Sequence, residues 1–583
     1  MSESSGDERT SDVEYNEDSD AESDEEVAVG EGAGSSGSCC SADDSAGSSR
    51  DGDGGAGAGL WTRVNNLDDD ETPRRRFRAQ PRVLARVDEQ STPLDFVKIF
   101  LTEAFLMTIV DFTKKYANKV ISAAKNRYAR DHNGEAILSP RSRYRQWTKL
   151  SQQLNIPIML AFLALFLNMG MIRKSSVSDY WNQQDWSQFT PCWAEVMPRD
   201  HFLLLMRFIQ FYDCEDEDAD EEDPGRKVRF VYEHFNAVFY EQYVPHQDLT
   251  IDEGLVGYRG RAGIIQFMPL KKHHKFGIKN YELCETTGYT ITSSLCAGSE
   301  MRIPERYLDE YPNRPDNVVR KLCQRHSNSW WHIAMDNFYT NVALVNELYE
   351  RKIQVTGTVR VNRRRGIPAS VKDARNPVGS VSASRKGPLL AITFRQKASQ
   401  KQPGVCLLST KGSARWVKKK TGENVATADK NEQCIPQVVH LYNHTKIGVD
   451  LADQKVYEYE VERATRRWTL KVAMRFVQKA ILNAYVIYCK VNPSPINRKK
   501  FYIKVYEAMM EPVRNERLQG PMSPSTGTRA QGKRKCDFGQ SNKYRQCTVY
   551  SDRKDNKRKR TSFGCLRCGV AVCPKCYSQH KPK

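Results

Sequence analysis

Two sets of residues in this 583-residue chain have types and spacings that could do chemistry. The first set is acidic. Asp252 follows the short β-type run Leu249-Thr250-Ile251, and Asp336 ends the hydrophobic run from Trp330 to Met335. Asp450 and Asp453 stand at i and i+3 of a helix start, a spacing that favours one face. Carboxylates gathered at the edge of one sheet can hold two Mg²⁺ ions about 3.5–4 Å apart, activating a water or 3′-hydroxyl for in-line phosphoryl displacement. Aspartate suits this role because Mg²⁺ prefers hard oxygen ligands in a compact shell. The chain has 71 acidic residues, so position alone leaves surface carboxylates and helix caps open as readings. The second set is Cys565-x₂-Cys568, Cys573-x₂-Cys576 and His580, which has zinc-ligand spacing.

These residues need elements to carry them. Helix is expected from Thr92 as cap and Pro93 as first position, with Phe96, Ile99, Phe100, Met107 and Val110 at helical spacing. Helical patterns continue to about Tyr243, interrupted by an acidic loop from Cys214 to Asp223. The apolar run from Ile156 to Ile172 contains Pro157 and Asn168 and is short for a membrane span, so it reads as a buried helix. Tyr281 to Leu295 reads as a hairpin turned at Thr286-Thr287-Gly288. A helix from Asn341 to Lys352 lies between the strand ending at Asp336 and a strand from Ile353 to Val361. Alternating strands and helices point to an α/β sheet. Residues 362–430, bracketed by Arg363-Arg364-Arg365 and Lys418-Lys419-Lys420, read as a basic insertion into the sheet domain. One long helical segment is expected from about Val449 to Lys490, stopped by Pro493 and Pro495.

Composition bounds the partners. Residues 1–59 hold 17 acidic and two basic residues and almost no large apolar ones, so they are expected to be disordered. Taking their charge of −15 from the chain's +18 leaves +33 on the remainder, which favours a polyanion such as nucleic acid. Arg74, Arg75, Arg76, Arg78 and Arg82 form a basic patch that could touch phosphates, meet the acidic tail or lie in solvent. No secretory leader is expected. Six of the 16 cysteines fall in the last 48 residues, a terminal cluster suited to metal rather than to a disulfide framework.

The flanking residues are more specific than the positions. The stretch from Ile251-Asp252-Glu253 to Tyr258-Arg259-Gly260-Arg261 resembles a segment of the piggyBac-type transposases. So do Met268-Pro269-Leu270-Lys271 with Phe276-Gly277-Ile278-Lys279, then Asp336-Asn337-Phe338-Tyr339-Thr340, Gly357-Thr358-Val359-Arg360-Val361-Asn362-Arg363, and Gly448-Val449-Asp450-Leu451-Ala452-Asp453-Gln454. The five segments occur in that family's order. The resemblance implies a multidomain α/β protein with an RNase H-like catalytic core split by an insertion, flanked by helical dimerisation and DNA-binding regions. It implies Asp252, Asp336 and Asp450 as the Mg²⁺ (or Mn²⁺) ligands, with Asp453 a fourth carboxylate nearby. Arg466-Arg467-Trp468 falls where the family has a basic-Trp segment close to its active site; a helix with a Trp anchor is the plainer reading.

The family's terminal module holds two zinc ions, which need eight ligands. Cys536, Cys547, Cys565, Cys568, Cys573, Cys576 and His580 supply seven candidates, and Tyr550 stands where the family pattern has a cysteine. Lys557-Arg558-Lys559-Arg560 is open to phosphate contact, nuclear import or a solvated loop. The expected organisation is a disordered acidic tail and basic linker (1–90), a helical dimerisation and DNA-binding region (91–245), the first part of the core (246–361), the insertion (362–430), core completion (431–455), a second helical DNA-binding region (456–518), a linker (519–533) and a Cys-rich zinc module (534–583). The implied function is nuclear, metal-dependent cleavage and transfer of double-stranded DNA at TTAA sites, by a homodimer and without a membrane. A domesticated, non-catalytic DNA- or chromatin-binding protein is the alternative. A general RNase H-like nuclease leaves the helical regions and zinc module without a purpose.

Overall fold

A computed structural model describes residues 60–64, 75–132, 135–139, 142–260, 262–269, 274–298, 303–397, 404–425, 434–461, 465, 467–519, 538–546, 560–565 and 570–571. The chain divides into two units, Met1–Arg514 and Asn515–Lys583. The expected tail of residues 1–59 lies outside the described residues, as do the zinc candidates apart from Cys565.

The first unit opens with β1 (Thr62–Arg63) and β2 (Arg82–Val83), then helices α1 (Pro93–Lys98), α2 (Glu103–His132), α3 (Trp147–Gln153), α4 (Ile156–Asn168), α5 (Pro191–Val196), α6 (Arg199–Phe208) and α7 (Arg229–Glu241). Local chemistry explains the starts. The Thr92 amide donates to the Asp95 carboxylate at 2.9 Å, and Asn155 accepts the Ile158 amide at 3.1 Å. Every residue of α4 from Met159 to Leu167 is buried, as its apolar run requires. Thr102 accepts the Phe105 amide at 3.2 Å and starts a new helix, which resets the helical phase. Met107, expected on the packed face, is therefore exposed.

After β3 (Tyr243–Val244), which pairs with β2 in a separate two-stranded sheet, comes a mixed sheet. Its strands here are β4 (Asp248–Gly257), β5 (Ile265–Phe267), β6 (Phe276–Glu285), β7 (Thr290–Leu295), β8 (Trp331–Met335) and β9 (Ile353–Thr358). Between them lie α8 (Pro315–Leu322) and α9 (Val342–Glu350), and after them α10 (Ala369–Lys372). β6 pairs antiparallel with β4 and β7, whereas β8 runs parallel to both β4 and β9. The β6–β7 turn uses Gly288 at φ +89°, and its amide closes on the Glu285 carbonyl at 2.9 Å.

Residues 362–430 contribute more regular structure than their charge suggested. β10 (Val381–Lys386), β11 (Leu389–Phe394) and β12 (Val405–Ser409) extend the same sheet through β12 on β9, giving ten strands in all. β11 is buried along its whole length. β13 (Trp416–Lys418) and β14 (Cys434–Pro436) form a separate pair. Order also begins before residue 91, because β1 pairs with the edge strand β10.

Three helices complete this layer: α11 (Gln437–Thr445), α12 (Gly448–Tyr457) and α13 (Trp468–Val491), with α14 (Arg498–Gln519) beyond. The single long helix expected from Val449 to Lys490 is thus two. The chain leaves α12 so that Glu460 can pair with buried Arg475 at 3.3 Å, and the Tyr459 carbonyl packs where a Cβ on Gly170 would stand 2.1 Å away. The second unit contains an antiparallel sheet of β15 (Phe538–Gln546), β16 (Arg560–Cys565) and β17 (Val570–Ala571).

Candidate active site

Register, which is non-local, creates the site. β4 and β8 run parallel with Ile251 opposite Met335. The next residue on each chain is Asp252 and Asp336, so these two lie side by side, with backbones roughly 5 Å apart at the usual strand spacing. The Asp252 carboxylate accepts the Glu253 amide at 2.8 Å. The Asp336 carboxylate accepts the Phe338 amide at 2.8 Å, and its carbonyl accepts the Thr340 hydroxyl at 2.8 Å. This turn needs glycine on the neighbouring strand, because a Cβ at Gly357 would sit 2.2 Å from Thr340 Oγ1 and 2.8 Å from the Met335 carbonyl.

The charges around the pair are unevenly matched. Burial raises the Asp336 carboxyl above its ordinary value and the Glu253 charge adds to that, against the Phe338 amide, Arg360 and Lys279. Burial also penalises the Glu253 charge, but Lys279 at 3.3 Å, a hydrogen bond with the Asp252 carboxyl group and the Tyr339 hydroxyl at 2.9 Å hold Glu253 below its ordinary value. Tyr442 of α11 is pushed up to about 12 by burial, with the charges of Asp336 and Asp252 adding and Thr358 opposing. Its hydroxyl therefore stays protonated beside the carboxylates.

Asp450 and Asp453 are carried by α12. α12 packs on β4 and β6, and Gly448 is the close approach: a Cβ there would meet Thr250 Oγ1 at 2.9 Å and the Glu285 carbonyl at 2.8 Å. Thr250 donates its hydroxyl to the Thr445 carbonyl, pinning the preceding turn to the strand of Asp252. The two acids of this helix differ in surroundings. Asp450 is exposed in the first turn, whereas Asp453 is 7% exposed on the face that packs with Cys284 and Leu482. The Asp453 charge contributes to raising Arg475 and Tyr457.

The chemistry of this donor set suits a divalent cation. Asp252 and Asp336 offer adjacent hard oxygens, and burial with a like charge at Asp336 leaves negative charge that a cation would relieve. These two fit a Mg²⁺ or Mn²⁺ ion. Among the described residues, no three His, Cys, Asp or Glu side chains are already grouped as a metal site.

Residues 92–485, well over half the chain, match the family model described as Transposase IS4. The chain belongs to this piggyBac-type transposase family. It is similar to human PiggyBac transposable element-derived protein 3, at 23% identity over 66% of this chain and 63% of that protein. It is also similar to human PiggyBac transposable element-derived protein 2, at 24% identity over 51% of this chain and 49% of that protein. The chain thus spans less than two thirds of the length of these relatives. Its fold resembles a piggyBac transposase solved by cryo-EM as a synaptic complex with hairpin DNA, with a TM-score of 0.60 and 24% identity, covering 85% of this chain and all of that one.

Other residues singled out in this piggyBac-type chain take structural places. Arg467 donates to the carbonyls of Met206 at 3.2 Å, Arg207 at 3.1 Å and Ile209, and to Gln210 Oε1 at 3.0 Å. It therefore closes the C-terminal end of α6, where carbonyls are otherwise unpaired. Trp468 packs against the core. In the basic patch, Arg75 lies 5.0 Å over the Trp330 ring and donates to the Tyr349 hydroxyl at 2.9 Å. Glu253, Lys279, Tyr339, Gly357 and Tyr442 were not marked as site residues from sequence. The first four lie within the quoted segments, and Tyr442 stands eight residues before Asp450 with no local signal of its own.

Proposed function

We propose that this chain is a metal-dependent DNA transposase that cleaves and transfers strands of double-stranded DNA at TTAA sites. In this reading the strands β7–β6–β4–β8–β9 are an RNase H-like core and residues 362–430 its insertion. The adjacency of Asp252 and Asp336 on parallel strands carries the proposal. Asp252, Asp336 and Asp450 would hold Mg²⁺ or Mn²⁺, with Asp453 a nearby fourth carboxylate. A divalent ion bound there would acidify an attacking water or 3′-hydroxyl and offset charge on the leaving oxygen. The chain's own residues set the stage. The Phe338 amide fixes the Asp336 carboxylate, Lys279 and Tyr339 restrain Glu253, and Tyr442 keeps a proton on its hydroxyl at the edge of the acidic pair. The charge of +33 outside residues 1–59 supports backbone contacts with DNA.

The same reading makes the protein a nuclear homodimer and gives it a C-terminal zinc module built from Cys547, Cys565, Cys568, Cys573, Cys576 and His580. Among the described residues no helix is long and apolar enough to cross a membrane. Incubating TTAA-bearing duplex ends with protein and Mg²⁺ tests the proposal. Nicking that disappears in Asp252→Asn and in Asp336→Asn supports it, and equal nicking by parent and variants rejects it.

One observation favours a second reading, that of a DNA- or chromatin-binding protein without catalysis. The described acids do not form a ready three-carboxylate group, and Asp453 is buried near Arg475. Shifted but intact DNA in the same assay would select this reading.

A further inference from the structure

Two exposed phenylalanines at one end of the site-bearing strands have no part in the chemistry above. Phe267 closes β5 and Phe276 opens β6, and they are 57% and 47% exposed. They are cross-strand partners whose ring centroids lie 4.7 Å apart at an interplanar angle of 36°. Single exposed apolar residues are ordinary on protein surfaces. Two large rings held against each other by strand pairing form instead a fixed apolar surface, and strand register keeps them together without a ligand.

Their place in the sheet relates them to the carboxylates. Alternation along β6 puts Phe276, Ile278, Asn280 and Glu282 on one face. Glu282 is the cross-strand partner of Asp252, so the Asp252 side chain shares that face. Six residues separate Phe276 from Glu282, which is roughly 20 Å at about 3.3 Å per residue. The intervening Ile278, Asn280 and Glu282 are buried, with Asn280 accepting the Tyr232 hydroxyl of α7 and Glu282 paired with Lys479 of α13, so the open stretch of this face is the ring pair itself. The rings are also flanked by positive charge. The Tyr258 amide bonds to the Phe276 carbonyl at 3.2 Å, placing exposed Arg259 next to the pair, and exposed Lys275 immediately precedes Phe276. Exposed rings interleaved with cations are the arrangement that takes up unpaired nucleotides, because every base offers a π face and every phosphate a negative charge.

We propose that Phe267 and Phe276 form a stacking platform for unpaired bases of the DNA, with Arg259 and Lys275 meeting the adjoining phosphates. This rests on the DNA-processing reading above and adds a substrate feature to it. The platform would thereby distinguish an opened DNA end from an intact duplex.

The test compares the full-length protein with Phe267→Ala/Phe276→Ala and Phe267→Trp/Phe276→Trp, in the absence of divalent ions. Fluorescence anisotropy measures affinity for a blunt duplex and for the same duplex with six unpaired nucleotides at one end. The parent is expected to prefer the unpaired end. The alanine variant should bind that end roughly 5- to 100-fold more weakly, keep its blunt-duplex affinity within about twofold, and remain unchanged in sedimentation. The tryptophan variant should keep the preference. No preference in the parent, or equal losses on both DNAs, would overturn the proposal while leaving the DNA reading standing. A shift from dimer to monomer in the alanine variant would overturn it in favour of a contact between two copies of the chain. Failure of the parent to bind either DNA would reject the DNA reading itself.

Discussion

Removing Lys479 should unfold the region beneath the acidic pair far more readily than removing Lys479 and Glu282 together. Glu282 is 1% and Lys479 2% exposed, and they form an ion pair between β6 and α13. Ser293 donates to Glu282 Oε1 at 3.4 Å, while Glu282 Oε2 has no hydrogen-bond partner among the described residues. Glu282 also stands directly opposite Asp252, where side chains of an antiparallel pair are about 5 Å apart. Lys479→Met therefore leaves one buried carboxylate unpaired next to another acid, which costs roughly 3–5 kcal/mol. Glu282→Leu/Lys479→Met removes both charges at similar volume and should restore stability to within about 1–2 kcal/mol of the parent. The urea midpoint at pH 7, followed by tryptophan fluorescence, reads the order: single variant lowest, double variant close to the parent. A single variant as stable as the parent, or a double variant worse than the single, would refute the reasoning that burial makes this pair interdependent.

Three further outcomes follow from the contacts. Gly357→Ala should cost roughly 1–3 kcal/mol by overpacking against Thr340 Oγ1 and the Met335 carbonyl, and Thr340→Ala in the same chain should recover part of it because only the side-chain clash is relieved; thermal melts of the three variants check this. Arg467→Ala should cost about 2 kcal/mol by freeing the carbonyls that end α6, while leaving DNA cleavage per folded molecule unchanged, which separates a cap from an active-site role. His332 and His326 are held neutral, with burial pushing each pKa down to about 4 and the charges of Lys411 and Arg325 respectively adding to this. The unfolded chain binds more protons than the folded one between the ordinary histidine pKa of about 6.5 and that value, so stability should fall as pH drops through this window, by up to about 1.4 kcal/mol per pH unit for each histidine. Denaturation midpoints from pH 7 to pH 4 measure the slope, and His326→Phe should flatten it.

Local signals make part of this architecture legible in the sequence. The apolar run of α4, the Asn341 cap that accepts the Leu344 amide at 2.9 Å, and Gly288 at a turn requiring positive φ each act within a few residues. Asp336 was visible because a hydrophobic strand ends at it. What stayed hidden depends on residues far away in the chain. The pairing of Ile251 with Met335 brings two acids together across 84 positions, and neither flank encodes that register alone. The sequence left Arg467 open between a place near the active site and a helix anchor, because its acceptors lie some 260 residues earlier. Charged stretches masked β10 to β12, because the buried strand Leu389–Phe394 is short and lies between arginine- and lysine-rich segments. Helical spacing alone did not foretell that packing on Cys284 and Leu482 would bury Asp453 and leave Asp450 exposed.

Everything proposed for catalysis requires one divalent cation shared by carboxylates from β4 and from the end of β8. Titration of the full-length protein with Mn²⁺, followed by the electron paramagnetic resonance signal of the free ion, measures this without DNA or turnover. Saturable binding that is lost in Asp252→Asn and again in Asp336→Asn, with both variants folded by circular dichroism, is the result the account predicts. Binding of equal strength and number in the parent and both variants would contradict it.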